Sequence, residues 1–333
     1  MELENVVCNL CGSEATLHLF SGQERRFGLG GWFNLVQCRN CGLIYLNPRP
    51  TATEMRRYYP ADRYFPYRKV VRKRGIVRSI RLGLKQVVLA EHKGYPQRRD
   101  LPRFPPSAIR LVTRLLKSRF QDLPTFVVGG RLLDVGCGSG NYLYSLRELG
   151  WEVYGVEVDV GAAHYACDRL GLNVLPGTLE EARFPEAFFD VVAMRQVLEH
   201  LPNPSGSLME VYRVLKPDGK LMVEVPNIAS PSAMLFRSWW FNLDVPRHVY
   251  SFTPRTLEAM LKKSGFTQVK IEHIADTSGI TGSLQYLWNA RTGDPQGNAI
   301  RRSRILHLAL WPIAFLLAQL GRGEMIRAWG TKE

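Results

Sequence analysis

From residue 127 onward, hydrophobic positions switch back and forth between two periods. Short apolar runs (Arg131–Asp134, Glu152–Val158, Asn173–Leu175, Asp190–Met194, Lys220–Val225, Thr267–Ile274 and Glu324–Trp329) read as buried strands. Most are separated by stretches whose apolar residues recur every three or four positions, the spacing of one helix face. One carries Tyr142, Leu143, Leu146 and Leu149 and stops at Gly150. Others cover Ala162–Leu170, a segment ending near Leu215, and a segment that starts at Pro254 and ends at Gly265. Strand and helix in alternation require a largely parallel sheet covered by helices, so the chain is α/β here.

The first 60 residues follow a different pattern. Short strands are expected around Leu17–Phe20, Leu35–Gln37 and Leu43–Leu46, closed by Asn47-Pro48-Arg49-Pro50-Thr51, with His18 a strand residue. Between the two regions, Ile76, Val77, Ile80, Leu84, Val87 and Val88 fall on one helical stripe, and Arg74, Arg78, Arg81 and Lys85 on another. A second basic helix is expected from about Ala108 to Phe120. Late in the chain, the 16 residues Ile305–Leu320 are almost free of charge and are flanked by Arg301, Arg302, Arg304 and Arg322. They fall short of the ~20 residues that span a bilayer, and Pro312 interrupts them. Two readings stand: a buried or substrate-covering helix, and an interfacial segment. The organisation expected is 1–60, a small module; 61–125, a basic helical linker or cap; and 126–333, the α/β domain with an apolar helical insertion at about 280–322.

Charge sharpens this division. The net +14 resides in residues 66–119, where 16 Lys/Arg face only Glu91 and Asp100; the remainder is balanced. That segment either turns solvated charge outward from a cap or meets something anionic, such as a membrane surface, a phosphorylated substrate or RNA. No N-terminal apolar run with a cleavage site is present, so a cytoplasmic protein is expected, with peripheral attachment at the inner membrane face as the alternative.

Four of six cysteines form two like knuckles, Cys8-Asn-Leu-Cys11-Gly and Cys38-Arg-Asn-Cys41-Gly. Each turn presents two thiolates to one tetrahedral ion, and the pair closes an all-sulfur site, which predicts structural Zn2+; two disulfides are the alternative. Cys137 and Cys167 are assigned packing side chains.

Leu132-Leu133-Asp134-Val135-Gly136-Cys137-Gly138-Ser139-Gly140 is an apolar strand followed by glycine at every second position and then a helix. Side chains are missing where a ligand must reach the backbone. Glu157, about 20 residues further on at the end of the second strand, is placed to accept from a ribose diol. The spacing resembles motif I of the class I S-adenosylmethionine (SAM)-dependent methyltransferases. Phe189-Asp190-Val191-Val192, the run Val197-Leu198-Glu199-His200-Leu201-Pro202-Asn203-Pro204, and Val214–Lys220 resemble that family's fourth strand, the loop after it, and its turn into strand five. The knuckles, Leu46–Pro50 and Leu243–Tyr250 resemble a narrower group of bacterial zinc-ribbon methyltransferases of sugar, polysaccharide or secondary-metabolite synthesis.

That resemblance implies a Rossmann-like seven-stranded methyltransferase sheet, its last strand antiparallel beside the sixth, plus a small N-terminal zinc-binding module. It places SAM on Asp134, Gly136, Cys137, Gly138, Gly140, Glu157, Thr178, Leu179 and Gln196. For transfer to a hydroxyl, His248 and His200 are the candidate bases, with Asp244 orienting His248, Arg247 binding an anion and Trp240 stacking on substrate. The expected acceptor is a hydroxyl of a sugar, glycosyl or lipid-linked small molecule, with an anionic membrane surface as a further partner and nucleic acid a weaker one. An RNA methyltransferase is the nearest alternative, although Met194-Arg195-Gln196-Val197 stands where amino-directed enzymes carry Asn/Asp-Pro-Pro-Tyr/Phe. Two others are a nucleotide-sugar C-methyltransferase, for whose extra C-terminal domain little chain remains, and a non-catalytic zinc-organised binding protein, against which the intact glycine turn argues.

Overall fold

A computed structural model describes residues 1–60, 88–96, 122–294 and 297–333. The basic amphipathic helix expected around residues 74–88 and the second basic helix at 108–120 lie almost wholly outside these residues, except that residues 88–93 are helical.

Seven strands form the central sheet: β6 (Arg131–Val135), β7 (Glu152–Glu157), β8 (Asn173–Pro176), β9 (Phe189–Arg195), β10 (Leu215–Pro226), β12 (Thr267–Ile274) and β13 (Met325–Thr331). Their order is β12-β13-β10-β9-β6-β7-β8. Strands β6 to β10 pair in parallel, whereas β13 runs antiparallel to both β10 and β12. The expected strands therefore fall within a residue or two of those observed, except that β10 begins at Leu215, five residues before Lys220, with an irregular register across the turn at 216–219. Residues Leu132, Leu133, Val192, Ala193, Met194, Leu221 and Val223 are completely or almost completely buried, as a sheet covered on both faces requires. The sheet's order reverses at β6, between β7 and β9, so the carboxyl ends of these strands make the crevice in which open α/β sheets take ligands.

The N-terminal module is stitched into this domain. Besides a two-residue pairing of β1 (Leu3–Glu4) with β5 (Arg49–Pro50), it contains β2 (Thr16–Gln23), β3 (Trp32–Cys38) and β4 (Ile44–Leu46). The fourth strand of that sheet is β11 (Tyr250–Ser251), which arrives from beyond β10. Val249 joins three segments: its carbonyl accepts from Leu46 N (3.0 Å) and its N–H donates to Glu199 O (2.9 Å). Phe33, Leu35, Tyr45 and Leu46 share one apolar core with Val245, Val249, Phe252 and the sheet.

The apolar segment near the end forms a helix, Arg304–Gln319, capped by Ser303. The expectation that it is buried is corrected. Only Ala314 and Ala318 are buried, while Ile305, Leu308, Ile313 and Leu316 are more than half exposed and Trp311 and Phe315 nearly so. The helix packs on β12 and on helix Ser278–Thr292 through a narrow small-residue edge and turns its broad apolar side outward.

Candidate functional site

The glycine turn leaves β6 and opens the helix Asn141–Arg147, with Gly140 as its N-cap in a left-handed conformation. Gly136 also has positive φ (68°), and a Cβ there would lie 2.5 Å from Val197, so the turn packs directly against the segment after β9. Gly138 differs: its φ is 54° and a Cβ would meet nothing within 4 Å. Gly136 is bare because of packing; Gly138 is bare toward open space. Cys137 is buried between these glycines, its thiol pushed well up by burial and its Sγ in the space that keeps Gly155 without a side chain.

Glu157 ends β7 almost fully buried. Its Oε2 accepts from Gly138 N (2.7 Å) and its Oε1 from Asp159 N (2.9 Å). Burial pushes its pKa up while these amides hold it down. One carboxylate is thereby fixed against the turn, and each oxygen keeps a lone pair for a second donor. Asp159 instead caps the next helix, accepting from Ala162 N. Asp134 is buried on β6, its pKa pushed up to about 7 by desolvation against the opposing pull of Arg195. The Arg195 guanidinium lies 4.4 Å from the centre of the Tyr142 ring and its Nε has no hydrogen-bond partner among the described residues. Gln196 is exposed in a left-handed conformation (φ 55°), a strained setting for a non-glycine residue at a strand end. Beyond β8, Leu179 is buried, whereas Thr178 is exposed and exchanges backbone and side-chain hydrogen bonds with Glu181. The nine residues expected to hold SAM thus all lie on the turn or at the carboxyl ends of β6 to β9 or the segments just after them.

Three expectations for the loop 240–248 are corrected. Arg247 is fully buried: it donates to Asp244 Oδ1 (2.6 and 3.1 Å), Glu24 Oε1 (2.9 Å) and Tyr58 O (3.1 Å). Its donors are spent inside the fold, so it is no substrate anion site. Asp244 is shared between Arg247 and Arg26 (2.7 Å), which hold its carboxyl far below the usual range against burial, and it stands 3.9 Å from His248 Nε2, too far to orient it. Trp240 is 2% exposed with Nε1 donating to Glu324 (2.7 Å); it is a core aromatic that cannot stack on a ligand.

The two histidines do come together, their ring centres 4.6 Å apart and nearly perpendicular. Each fixes Nδ1 on a backbone carbonyl: His200 on Arg247 O (3.0 Å), His248 on Asn242 O (2.8 Å), with Tyr59 Oη 3.1 Å from His200 Nδ1. Burial lowers the pKa of His200 to about 3 and that of His248 to about 4, so both are neutral near pH 7. Beside them is Glu199, which lies in the run Val197–Pro204 and to which the sequence pattern assigns no role. It is 1% exposed, and neither carboxylate oxygen has a hydrogen-bond partner among the described residues. A charged residue between Leu198 and His200 in an otherwise apolar run was the available signal.

In the module, all four knuckle cysteines are unpaired thiols whose sulfurs lie within 4.8 Å of one another, Cys8–Cys41 and Cys11–Cys38 at 3.4 Å. Gly12 and Gly42, both with positive φ, let the knuckles close on the Cys8 and Cys38 carbonyls. Backbone N–H groups draw the Cys38 thiol down to about 7 against burial.

A family model described as "Methyltransferase domain" matches residues 103–271, just over half of the chain. The chain is 28% identical to a malonyl-[acyl-carrier protein] O-methyltransferase of Serratia marcescens, over 47% of this chain and 63% of that protein. It is 30% identical to a ubiquinone biosynthesis O-methyltransferase of Pseudomonas fluorescens (46% and 69%). With a tRNA U34 carboxymethyltransferase of Hydrogenovibrio crunogenus it shares 31% (45% and 48%). It therefore spans about half to two thirds of the length of these curated relatives.

Proposed function

From a chain that belongs to the methyltransferase-domain family, we infer an enzyme that moves the methyl group of SAM to a hydroxyl of a sugar, glycosyl or lipid-linked small molecule. The observation that carries this reading is Glu157, buried at the sheet's switch point and braced by Gly138 and Asp159, with open space in front of Gly138. A ribose diol suits its remaining lone pairs, and the bare turn admits the amino-acid tail. Bound there, SAM supplies an activated methyl on a sulfonium. The chain's own task is to position an acceptor in line and to help its proton leave.

Two of the relatives are O-methyltransferases, one of them acting on a carrier-bound molecule, which supports an oxygen acceptor. The exposed apolar helix Arg304–Gln319, with Arg301, Arg302, Arg304 and Arg322 at its ends, supports the lipid-linked version and contact with an anionic membrane surface. No helix among the described residues is long and apolar enough to cross a bilayer. The tRNA-modifying relative supports the RNA reading, to which the basic segment 66–119 adds charge. The four thiols of Cys8, Cys11, Cys38 and Cys41 suit a closed structural Zn2+ site, and we include that ion in the proposal.

Calorimetry with S-adenosylhomocysteine tests the core of this reading. Wild type binds, and Glu157→Ala loses about 1.5–3 kcal/mol for each hydroxyl hydrogen bond removed. No binding heat for the wild type overturns it. Transfer of labelled methyl from SAM into cell extract, fractionated into lipid, small-molecule and RNA pools, then selects the acceptor class; label confined to RNA selects the alternative.

A further inference from the structure

Glu199, His200 and His248 each offer one ligand atom, and these atoms lie within 4.8 Å of one another. We propose that this trio is a divalent-cation site, separate from the cysteines, that takes a borderline transition-metal ion and leaves coordination positions open for an acceptor hydroxyl.

A buried carboxyl without a hydrogen bond costs free energy unless it takes up a proton or meets something of opposite charge. Glu199 is such a group, with both oxygens orphaned. Its acidic and basic neighbours are already spent on each other: Asp244 is paired with Arg247 and Arg26. Both imidazoles commit Nδ1 to backbone carbonyls, the arrangement that fixes a metal-binding histidine's tautomer and ring angle and leaves Nε2 for the ion. Two nitrogens and one carboxylate form a ligand set with room for exogenous ligands. Ligand bonds of about 2.0–2.2 Å put neighbouring donor atoms about 3–4 Å apart, within reach of small side-chain rotations here.

Position ties the trio to the cofactor crevice. It begins two residues after Val197, whose side chain packs against the bare face of Gly136. Resting on the methyl-transfer reading above, the ion's role is to hold the acceptor hydroxyl and make it more acidic. Its proton leaves to solvent, an oxygen lone pair forms the new O–CH3 bond, and the electron pair of the broken C–S bond returns to sulfur. The histidines then act as ligands and not as the base.

The test is Co2+ titration of the full chain with its cysteine cluster zinc-loaded, followed by absorption spectroscopy. Expected is one equivalent of Co2+ with d–d bands and no thiolate charge-transfer band, its affinity falling at least about tenfold in Glu199→Gln and in His248→Asn. S-adenosylhomocysteine calorimetry on both variants reports that the crevice is still folded. Wild type that takes up Co2+ only with thiolate bands, or variants that bind it as tightly as wild type, overturn the proposal. Failure of cobalt uptake with cofactor binding intact overturns the metal site alone. Cobalt uptake without any cofactor binding overturns the methyl-transfer reading and supports the site.

Discussion

Two buried acid–base clusters stand side by side beneath the loop 241–249, and they are built on opposite rules. In the first, Glu24, Arg247, Asp244 and Arg26 neutralise one another, and every charge has a partner within 3.1 Å. In the second, the Glu199 carboxyl has no hydrogen-bond partner among the described residues and its neighbours His200 and His248 are uncharged. Both clusters contain residues that a sequence reader takes for catalytic. Satisfied charges belong to the scaffold, whereas a buried acid whose oxygens lack partners among the described residues, next to the cofactor crevice, points to a ligand.

The sharpest way to break this contrast is to remove one partner from each cluster. Arg247→Met leaves Glu24 and Asp244 buried with too little positive charge, and denaturant unfolding is expected to show a loss of about 3–5 kcal/mol. Gly136→Ala forces a left-handed alanine against Val197 and is expected to cost about 1–3 kcal/mol by the same measurement. Glu199→Gln in metal-free protein replaces a buried carboxyl, whose pKa burial pushes up to about 8, by a neutral amide of like shape; its stability should lie within about 1 kcal/mol of wild type or above it. A loss as large as that for Arg247 would erase the distinction between the clusters.

A third buried acid, Asp134 on β6, adds a pH-dependent comparison outside both clusters. Burial raises the pKa of Asp134 to about 7 from an ordinary 3.8, so the protonated form suits the fold. That contribution is complete below about pH 4 and disappears as pH rises through 7. Melting temperatures of Asp134→Asn should therefore fall less between pH 4 and 7 than those of wild type. Smallest of all, Trp311→Ser on the exposed apolar helix is expected to change stability by less than about 0.5 kcal/mol. It should nonetheless reduce flotation with anionic vesicles; unchanged flotation removes the membrane version of the acceptor reading.

Much of the α/β domain was legible because a parallel sheet leaves local signals. Buried strands are runs such as Val191–Met194, their helices repeat at 3.6 residues, and the turn at 136–140 needs glycines with positive φ. The cofactor-side residues were legible for the same reason, since they follow directly on strand ends. What the chain did not reveal depends on distant partners. Nothing near Arg247 in sequence announces Glu24 or Tyr58, more than 180 positions away, and so it read as an anion site beside a rigid Pro-Arg-His run. Trp240 read as a ligand platform because its acceptor, Glu324, lies 84 positions away. Glu199 was overlooked because a carboxylate's lack of partners is invisible until its surroundings are known. The apolar run 305–320 misled in the opposite sense: composition suggested burial, but only the small-residue edge at Ala314 and Ala318 found anything to pack against.

Strand β11 pairs with β4 across about 200 intervening residues. As the ribosome releases the chain, the ribbon's apolar edge, Ile44–Leu46, must wait for Tyr250 before it is covered. At about 5–20 residues per second that interval is roughly 10–40 s. Over that interval the nascent chain keeps this edge without its final partner, and its amino-terminal sheet is completed only once Tyr250 has emerged.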